Sequence, residues 1–442
     1  MHSIMDKSRN GSAAKRTSAA AWKKGIVACL MLVSVLVILF VPWHQESNFS
    51  LVNNTSMHYV RARVLSVDAE SLQSDDLEPG RVAGAQEITV QILSGSLKGQ
   101  TVTLTNYVTR SVNVVCKEGL RIILCIDTPE NAEAYYTVYN YDRGGGLLLI
   151  FGLFIGIVLV VGGKRGGFSL LGLAYTVFVI FAFLIQAVYY GWSPALAGFL
   201  TVLLTGAASV YLIGGPTRKT VAAFLATMAG VLCAAVIYTV CAAALHLSGY
   251  NLDTAESLIL IQNQTGLHVS GLIFCAVIVA ALGAVMDVAV SVSSSLQEIH
   301  QLNPDRSAKE LMHSGMNIGK DMIGTMTNTL ILAFVGSALT TVILLKGYGY
   351  DMALLLNSDY VAIEVTEGIA ATLGVILTVP LASAISAWLF TLEAKKPLQS
   401  NPSKKKRRTG CLARRFSSLF FQNLPVKAHS SRCLPNGNCL SR

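Results

Sequence analysis

Residues 283–336 read GAVMDVAVSVSSSLQEIHQLNPDRSAKELMHSGMNIGKDMIGTMTNTLILAFVG, and this segment determines how the rest of the chain is interpreted. It contains two apolar runs joined by a short charged connection, and the first run contains the carboxylate of Asp287. A charged side chain at the centre of a membrane span costs about 3 kcal/mol or more, so it is usually paired and functional. The segment therefore predicts two membrane-spanning helices that enclose an acidic site.

The composition of the whole chain indicates a polytopic α-helical membrane protein. Of its 442 residues 52% are hydrophobic and only 13% are charged, a balance that soluble domains do not show. The net charge of +9 could indicate nucleic acid binding, but the basic residues flank apolar runs and are interpreted as topology signals. We therefore expect the lipid bilayer, and no nucleic acid, as the surroundings of the chain.

Apolar runs predict about eight transmembrane helices, each near the length of about 20 residues that a span requires. The first is an anchor at residues 26–41, and seven more lie within residues 144–391. These seven runs cover residues 144–163, 168–190, 195–213, 221–247, 268–296, 322–345 and 369–391. Threaded alternately, they place the Lys- and Arg-rich connections on one side, which predicts that both termini are cytoplasmic. Residues 1–25 and the basic segment 392–442 are expected to be cytoplasmic tails.

Residues 44–141 have a different character and predict a small extracytoplasmic β-rich domain, barrel-like or sandwich-like, between the first two spans. Residues 59–67 and 87–93 alternate apolar and polar side chains, and residues 101–105 and 120–126 are rich in β-formers. At least four strands are therefore expected. Whether Cys116 and Cys125 of this domain form a disulfide is left open.

Polar side chains in the two apolar runs recur at helical spacing. Asp287, Ser291, Ser294 and Glu298 follow one another at intervals of four, three and four residues, which places them on one helical face. On the next helix Asp321, Thr325 and Asn328 also share a face. Because the two helices are antiparallel, Asp287 and Asn328 lie at similar depths, and we expect Asn328, Thr325 or Thr329 to hydrogen-bond the carboxylate.

Two interpretations of these polar faces remain open. Burial disfavours the ionised form of a carboxyl group, so Asp287 could take up and release a proton or bind an ion, with Ser291 and Ser294 holding water. Alternatively, Asp287 and Asn328 only fasten two helices together. In both cases Gly283 and Gly324, together with Gly315 and Gly319, are expected to allow close helix packing.

The connection between the two helices contains further local signals. Pro304 predicts the end of the first helix, and Ser307 with Glu310 forms a capping-box pattern that starts another. A short amphipathic helix along the inner interface is one interpretation, and a rigid loop is the other. The acidic residues ahead of the last span, Glu364 and Glu367 among them, are interpreted as solvated loop charge, with a cation vestibule as the alternative.

The sequence provides little support for an enzyme. It shows no phosphate-binding loop, no zinc-protease motif, and no spacing of its nine cysteines that suits a metal. We expect neither a cofactor nor a metal site, and no enzymatic activity.

The segments MDVAVSVSSSLQEI at residues 286–299 and GMNIGKDMIGTMTNTLILAFVG at residues 315–336 resemble the YibE/F family of bacterial membrane proteins. The resemblance extends over residues 25–395 and implies a multi-pass protein of the bacterial plasma membrane. A more distant similarity links Gly283 and Asp287, and Thr325, Asn328 and Thr329, to the export subunits SecD and SecF and the RND-type permeases. This similarity implies that an intramembrane Asp couples proton flow to movement.

Two functions therefore remain as hypotheses. The first is a proton- or ion-coupled secondary transporter or export accessory, with Asp287 as the coupling carboxylate. The second is a non-transporting scaffold or sensor, whose outer β-domain binds a ligand or an envelope partner. The substrate is unknown, and a second membrane subunit or a homo-oligomer is left open.

Overall fold

A computed structural model describes residues 31–40, 56–74, 80–129, 133–250 and 255–394. The chain divides into two compact units, Met1–Thr391 and Leu392–Arg442, and almost all of the second lies outside the described residues. The predicted tails fall on residues 1–25 and 392–442, so only the last residues of the final helix can be compared with them.

The β-rich domain, called the outer domain after its predicted position, is one antiparallel sheet of five strands in the order β3-β2-β1-β4-β5. The strands are β1 (Met57–Ser74), β2 (Val82–Ile92), β3 (Thr101–Val108), β4 (Arg121–Asp127) and β5 (Tyr135–Tyr141). Alternate side chains of β2, β3 and β4 are buried, as the period of two in their sequences predicts. The four predicted strands are confirmed, and β5 is an addition.

The sheet is curled, so that its concave face encloses a core. Register shifts between Val64 and Ser66 and between Val67 and Ala69 interrupt the β1–β2 pairing, and such bulges bend a strand. The two edge strands, β3 and β5, approach each other. Ile88, Ile92, Ile122 and Leu124 are fully buried in this core. The domain is therefore a partly closed single sheet and not a two-layer sandwich.

Ten α-helices make up the rest of the described chain. They are α1 (Met31–Phe40), α2 (Gly144–Val179), α3 (Ile185–Tyr189), α4 (Pro194–Gly214), α5 (Arg218–Ala244), α6 (Ala255–Thr265), α7 (Leu272–Leu302), α8 (Ala308–Gly347), α9 (Met352–Leu356) and α10 (Asp359–Ala394). A π-helical turn, Ile180–Leu184, joins α2 to α3. Six helices in the described residues are long and apolar enough to cross a membrane, where the sequence predicted eight.

The difference in the count arises at α1 and α2. Only ten residues of the predicted anchor are described, as α1. The second and third predicted spans form one helical run, Gly144–Tyr189, which is interrupted at Gly163 by a positive φ of 53°. Gly166 lies against the backbone carbonyl of Val158, although a straight helix would separate two such residues by about 12 Å. The run therefore doubles back at Gly163, where glycine alone adopts the backbone conformation readily.

The connection between α7 and α8 confirms one prediction and corrects another. Helix α7 ends at Leu302, just before Pro304, and Ser307 caps α8 in a complete capping box with Glu310. However, no separate amphipathic helix follows, since α8 continues without a break for 40 residues. The helix has no Pro or other strong breaker after the cap, so the interfacial turns and the span become one rod.

The helical core is closed by small residues where α5, α7 and α10 meet. Gly230 of α5 contacts the hydroxyl of Thr378 on α10 and lies near Val285 of α7. Gly374 of α10 packs in turn against Ala234 of α5. The hydroxyls of Ser293 and Ser386 lie 2.9 Å apart and join α7 to α10. Close backbone approach is the usual basis of helix association in membranes, so this cluster holds the bundle together.

Candidate functional site

Helix α7 turns its polar face away from the helical core. Its buried residues form one stripe, which includes Val285, Val288, Ala289, Val292 and Leu296. At 100° per residue, Asp287 and Ser291 lie on the opposite side of the helix, and both are exposed. Ser294 of the same face is half-buried, and Glu298 is exposed. The predicted common face is therefore present, but it lies on the surface of the helix bundle.

The polar face of α8 is also on the surface. Asp321, Thr325 and Asn328 are all exposed. The hydroxyl of Thr325 donates to the backbone carbonyl of Met322 at 3.1 Å, and that of Thr329 donates to the carbonyl of Thr325 at 2.9 Å. These hydroxyls are thus engaged within their own helix.

The expected hydrogen bond between the two faces is not formed within one chain. Among the described residues, the carboxylate of Asp287 has no hydrogen bond and no ion pair, whether with Asn328, with Thr325 or with another side chain. The two faces share an outward orientation without touching through these groups. Whether Asp287 couples protons or ions therefore remains a prediction.

The depths of the two polar faces do match. Helices α7 and α8 meet where Leu296 lies beside Gly315, at the end near their connection. Asp287 is nine residues from this contact, or about 13 Å along the helix, and Thr325 is ten residues from it, or about 15 Å. Asn328 lies about one further turn into the span. The donors of α8 thus lie near the level of the carboxylate of α7.

Two of the four glycines pack against a neighbouring helix within the described chain, and the other two do not. Gly315 packs against Ser383 and Leu296, and Gly319 packs against Val379. In contrast, a Cβ added at Gly283 or Gly324 would meet nothing within 4 Å among the described residues. The reason is that Gly283 and Gly324 lie on the outward faces of their helices.

A groove between α8 and α10 is a second feature that the sequence did not reveal. It has a volume of about 360 Å³, and almost all of its lining is apolar, with Ile331, Phe334, Leu339 and Val365 among the lining residues. Glu364 of α10 is the charged residue of the lining. This glutamate was expected in a solvated loop, but α10 begins at Asp359, earlier than the apolar pattern suggested.

Glu367 lies one turn further along α10 and is half-buried beside the buried side chain of Tyr238 on α5. It too was interpreted as a loop charge. The helix brings it into the bundle because helix formation there starts in polar sequence, ten residues before the apolar run. An apolar groove with few polar groups is the usual form of a small-molecule site, which makes this region a candidate.

The outer sheet contains a buried polar network. The side chain of Gln86 is fully buried, and it donates to Glu70 at 2.9 Å and to the carbonyl of Cys116 at 3.1 Å. Its oxygen accepts hydrogen bonds from the Cys116 amide at 2.8 Å and from Asn106 at 3.2 Å. All four hydrogen-bonding positions of the amide are thus used. The network ties β2 and β3 to the segment before β4, which indicates a structural role.

Cys116 and Cys125 are both free thiols. Burial raises the pKa of the Cys116 thiol from its ordinary value of 9.0 to about 11. In the unfolded chain the thiol therefore ionises at a lower pH than in the folded domain. The stability that comes from the neutral buried thiol is complete below pH 9 and is lost as the pH rises toward 11.

We expect the outer domain to become less stable between pH 9 and pH 11, and to lose part of this dependence in Cys116→Ala. The measurement is the rate of proteolytic cleavage within residues 57–141 of the purified chain at each pH. Cys125→Ala is the matched control, since Cys125 is only half-buried. An identical pH dependence in Cys116→Ala and the native chain would show that the Cys116 thiol is not responsible.

Metal binding has no support in the described part of the chain. No three His, Cys, Asp or Glu side chains there are grouped as metal ligands would be. The candidate sites are therefore the polar faces of α7 and α8 and the groove that contains Glu364.

Comparison with known proteins gives one match. A sequence-family model described as YibE/F-like protein matches residues 150–392, which is more than half of the chain. No curated protein and no solved structure matches. The matched region includes α7, α8 and α10 but not the outer sheet, so the wider resemblance over residues 25–395 is shown only for residues 150–392.

Proposed function

The chain belongs to the YibE/F-like family, and on this premise we propose that it is a proton- or ion-coupled secondary transporter or export accessory with Asp287 as the coupling carboxylate. Its setting would be the bacterial plasma membrane, with both termini in the cytoplasm. The family match and the apolar helices make it a membrane protein. The transport function is our inference from the site.

The observation that carries the proposal is the position of Asp287. It lies midway along α7, a 31-residue helix, after the apolar residues 272–286 and before the shorter apolar stretch 288–290. An acidic side chain at this depth is expensive, and a protein that retains one commonly uses it. A carboxyl group can exist there in a protonated and an ionised form, and the change between them alters the cost of exposing this face to lipid. Proton uptake could thereby shift the packing of α7 and α8.

Helix α8 links this site to the groove. It contains Thr325 and Asn328 on its outward face and contributes Ile331, Phe334 and Ala338 to the groove with α10. Because α8 is one uninterrupted helix, a shift of its polar face would also change the shape of the groove. The groove would then be part of the substrate path, with Glu364 as its polar contact.

We expect Asp287→Asn to abolish proton flux while the chain still folds, because an amide cannot take up or release the proton. The measurement uses purified chain in sealed vesicles that contain a pH-sensitive dye, after a pH gradient is imposed. Flux in the variant should fall to that of protein-free vesicles. Asp305→Asn is the matched control, since Asp305 is exposed in the connection between α7 and α8 and should leave the flux unchanged.

Flux that persists in Asp287→Asn would contradict the coupling role. The alternative, a scaffold or sensor, is favoured by exposed aromatic residues on the outer sheet. Tyr59 and Tyr139 are 51% and 56% exposed, and their rings meet edge to face at 5.0 Å. Exposed aromatic side chains commonly provide binding contacts. Under this alternative, deletion of residues 46–140 abolishes function and Asp287→Asn is tolerated.

A further inference from the structure

We propose that two copies of this chain pack through the outward faces of α7 and α8, so that Asp287 of each copy accepts a hydrogen bond from the side-chain amide of Asn328 of the partner subunit. The inference rests on the proposed function for what the site does, but the contact itself follows from the structure. It makes the acidic site a property of a dimer. The site is incomplete in one chain.

The uncovered carboxylate is the first reason. Asp287 is exposed at the middle of a membrane-spanning helix and has no hydrogen-bonding partner among the described residues. The other large exposed surface, the first half of α2, consists of residues such as Leu148, Phe151 and Val160. Lipid covers an apolar face without loss, since its tails are as apolar as leucine, but it offers no donor to a carboxylate. The polar face therefore requires protein contact.

The rest of the chain that the structure describes does not supply that contact. Helix α1 packs elsewhere, since the hydroxyl of Ser34 lies 2.8 Å from that of Tyr175 on α2. The two longest segments outside the described residues, 1–30 and 395–442, contain no apolar run long enough to cross a membrane by themselves. Another chain is therefore the source of donor groups that we propose.

A second copy is the occupant that the chemistry favours. The same surface that exposes an acceptor at Asp287 also exposes the amide donor of Asn328, on the neighbouring helix and within about one turn of the same depth. A two-fold axis along the membrane normal preserves depth, and it pairs residue i with residue j and j with i. Each carboxylate would meet the donors of the other copy, which makes the surface self-complementary.

The outward faces also allow close approach. Gly283, Ser291 and Ser295 flank Asp287 at intervals of four residues, and Gly324 precedes Asn328 on α8 by the same interval. Nothing lies within 4 Å of a Cβ added at Gly283 or Gly324, so these small residues leave space that a partner helix can fill. Small residues at this spacing are typical of helix–helix contacts in membranes.

Disulfide cross-linking in the membrane tests the contact without any transport assay. All nine native cysteines are first replaced, and two differently tagged copies are co-expressed, one with Gly283→Cys and the other with Thr329→Cys. These positions lie at similar depths, about 20 Å from the Leu296–Gly315 contact. We expect an oxidant to produce a cross-linked pair that contains both tags. Leu232→Cys in both copies is the control, because Leu232 is exposed midway along α5.

Absence of the Gly283–Thr329 cross-link in folded protein, or equal cross-linking at Leu232, would overturn the proposal. A cross-link between either cysteine and a different membrane protein would also overturn it. The outward faces of α7 and α8 would then contact that protein and not a second copy of this chain. A failure of proton flux alone would leave the cross-link intact, so the two proposals fail separately.

The oligomeric state of the purified chain in detergent provides an independent test of the contact. In Asp287→Leu the face loses the acceptor that the partner's amide would meet, so we expect the chain to remain folded and the dimer affinity to weaken by roughly tenfold or more. The native chain at the same detergent concentration should remain a dimer. A native chain that is monomeric, or a variant as dimeric as the native chain, would contradict the contact.

Discussion

Leucine in place of Gly230 should prevent the helix bundle from forming its native core. A Cβ at this position would overlap the hydroxyl of Thr378 and lie 2.7 Å from Val285, on two different helices. Neither neighbour can move easily, because the Thr378 hydroxyl donates to the carbonyl of Gly374 at 2.7 Å and Val285 is fully buried. Forcing extra atoms into a packed core costs about 1–3 kcal/mol for small insertions, and a leucine side chain should exceed that range.

The measurement for Gly230→Leu is the thermal midpoint of the purified chain in detergent, together with the amount that accumulates in the membrane. Gly230→Ala should have an intermediate effect. Gly156→Leu is the matched control, since a Cβ at Gly156 meets nothing within 4 Å and the position lies on the exposed half of α2. A midpoint for Gly230→Leu equal to that of Gly156→Leu would mean that α5, α7 and α10 do not meet at this residue.

Replacement of Gln86 by leucine should unfold the outer sheet without affecting the helices. The substitution removes four hydrogen bonds and leaves the buried amide and carbonyl of Cys116 without partners. Each buried unsatisfied polar group costs about 1–3 kcal/mol. The total is therefore a large part of the free energy of unfolding of a small domain.

The readout is the thiol of Cys116, which is 1% exposed in the folded domain. In a chain that retains only this cysteine, maleimide should label Cys116 slowly in the native background and rapidly in Gln86→Leu. Gln91→Leu on the same strand is the matched control, because Gln91 is half-buried and outside the network. Slow labelling in Gln86→Leu would show that the polar network contributes little to the stability of the sheet.

Much of the outer sheet could be predicted from local sequence. The alternation in β2 and the β-formers in β3 and β4 identified these strands, since a half-buried strand imposes a period of two. Strand β5 was missed, although YYTVYNY is rich in aromatic β-formers. The Gln86 network could not be predicted, because it joins residues separated by up to 30 positions in the sequence.

The spans could be located, but not all of their ends. The capping box of Ser307 and Glu310 and the stop at Pro304 are local signals, and both are present as predicted. The reversal at Gly163 falls at the predicted end of the span 144–163, whereas the start of α10 at Asp359 differs from the apolar pattern. Hydropathy reports how apolar a segment is, whereas helix formation can continue through polar residues wherever the backbone hydrogen bonds are satisfied.

The sequence by itself determined that this is a membrane protein, that the apolar run of α7 contains an acidic residue, and that Asp287, Ser291 and Ser294 share one helical face. Periodicity is enough for these conclusions, because it depends only on the geometry of a single helix. Only the tertiary structure decided that this face, with that of Asp321, Thr325 and Asn328, points outward. In water a polar face would point to the solvent, but in a membrane the protein core and the lipid are both apolar. The pattern on one helix therefore cannot distinguish an internal site from a surface that a second copy completes.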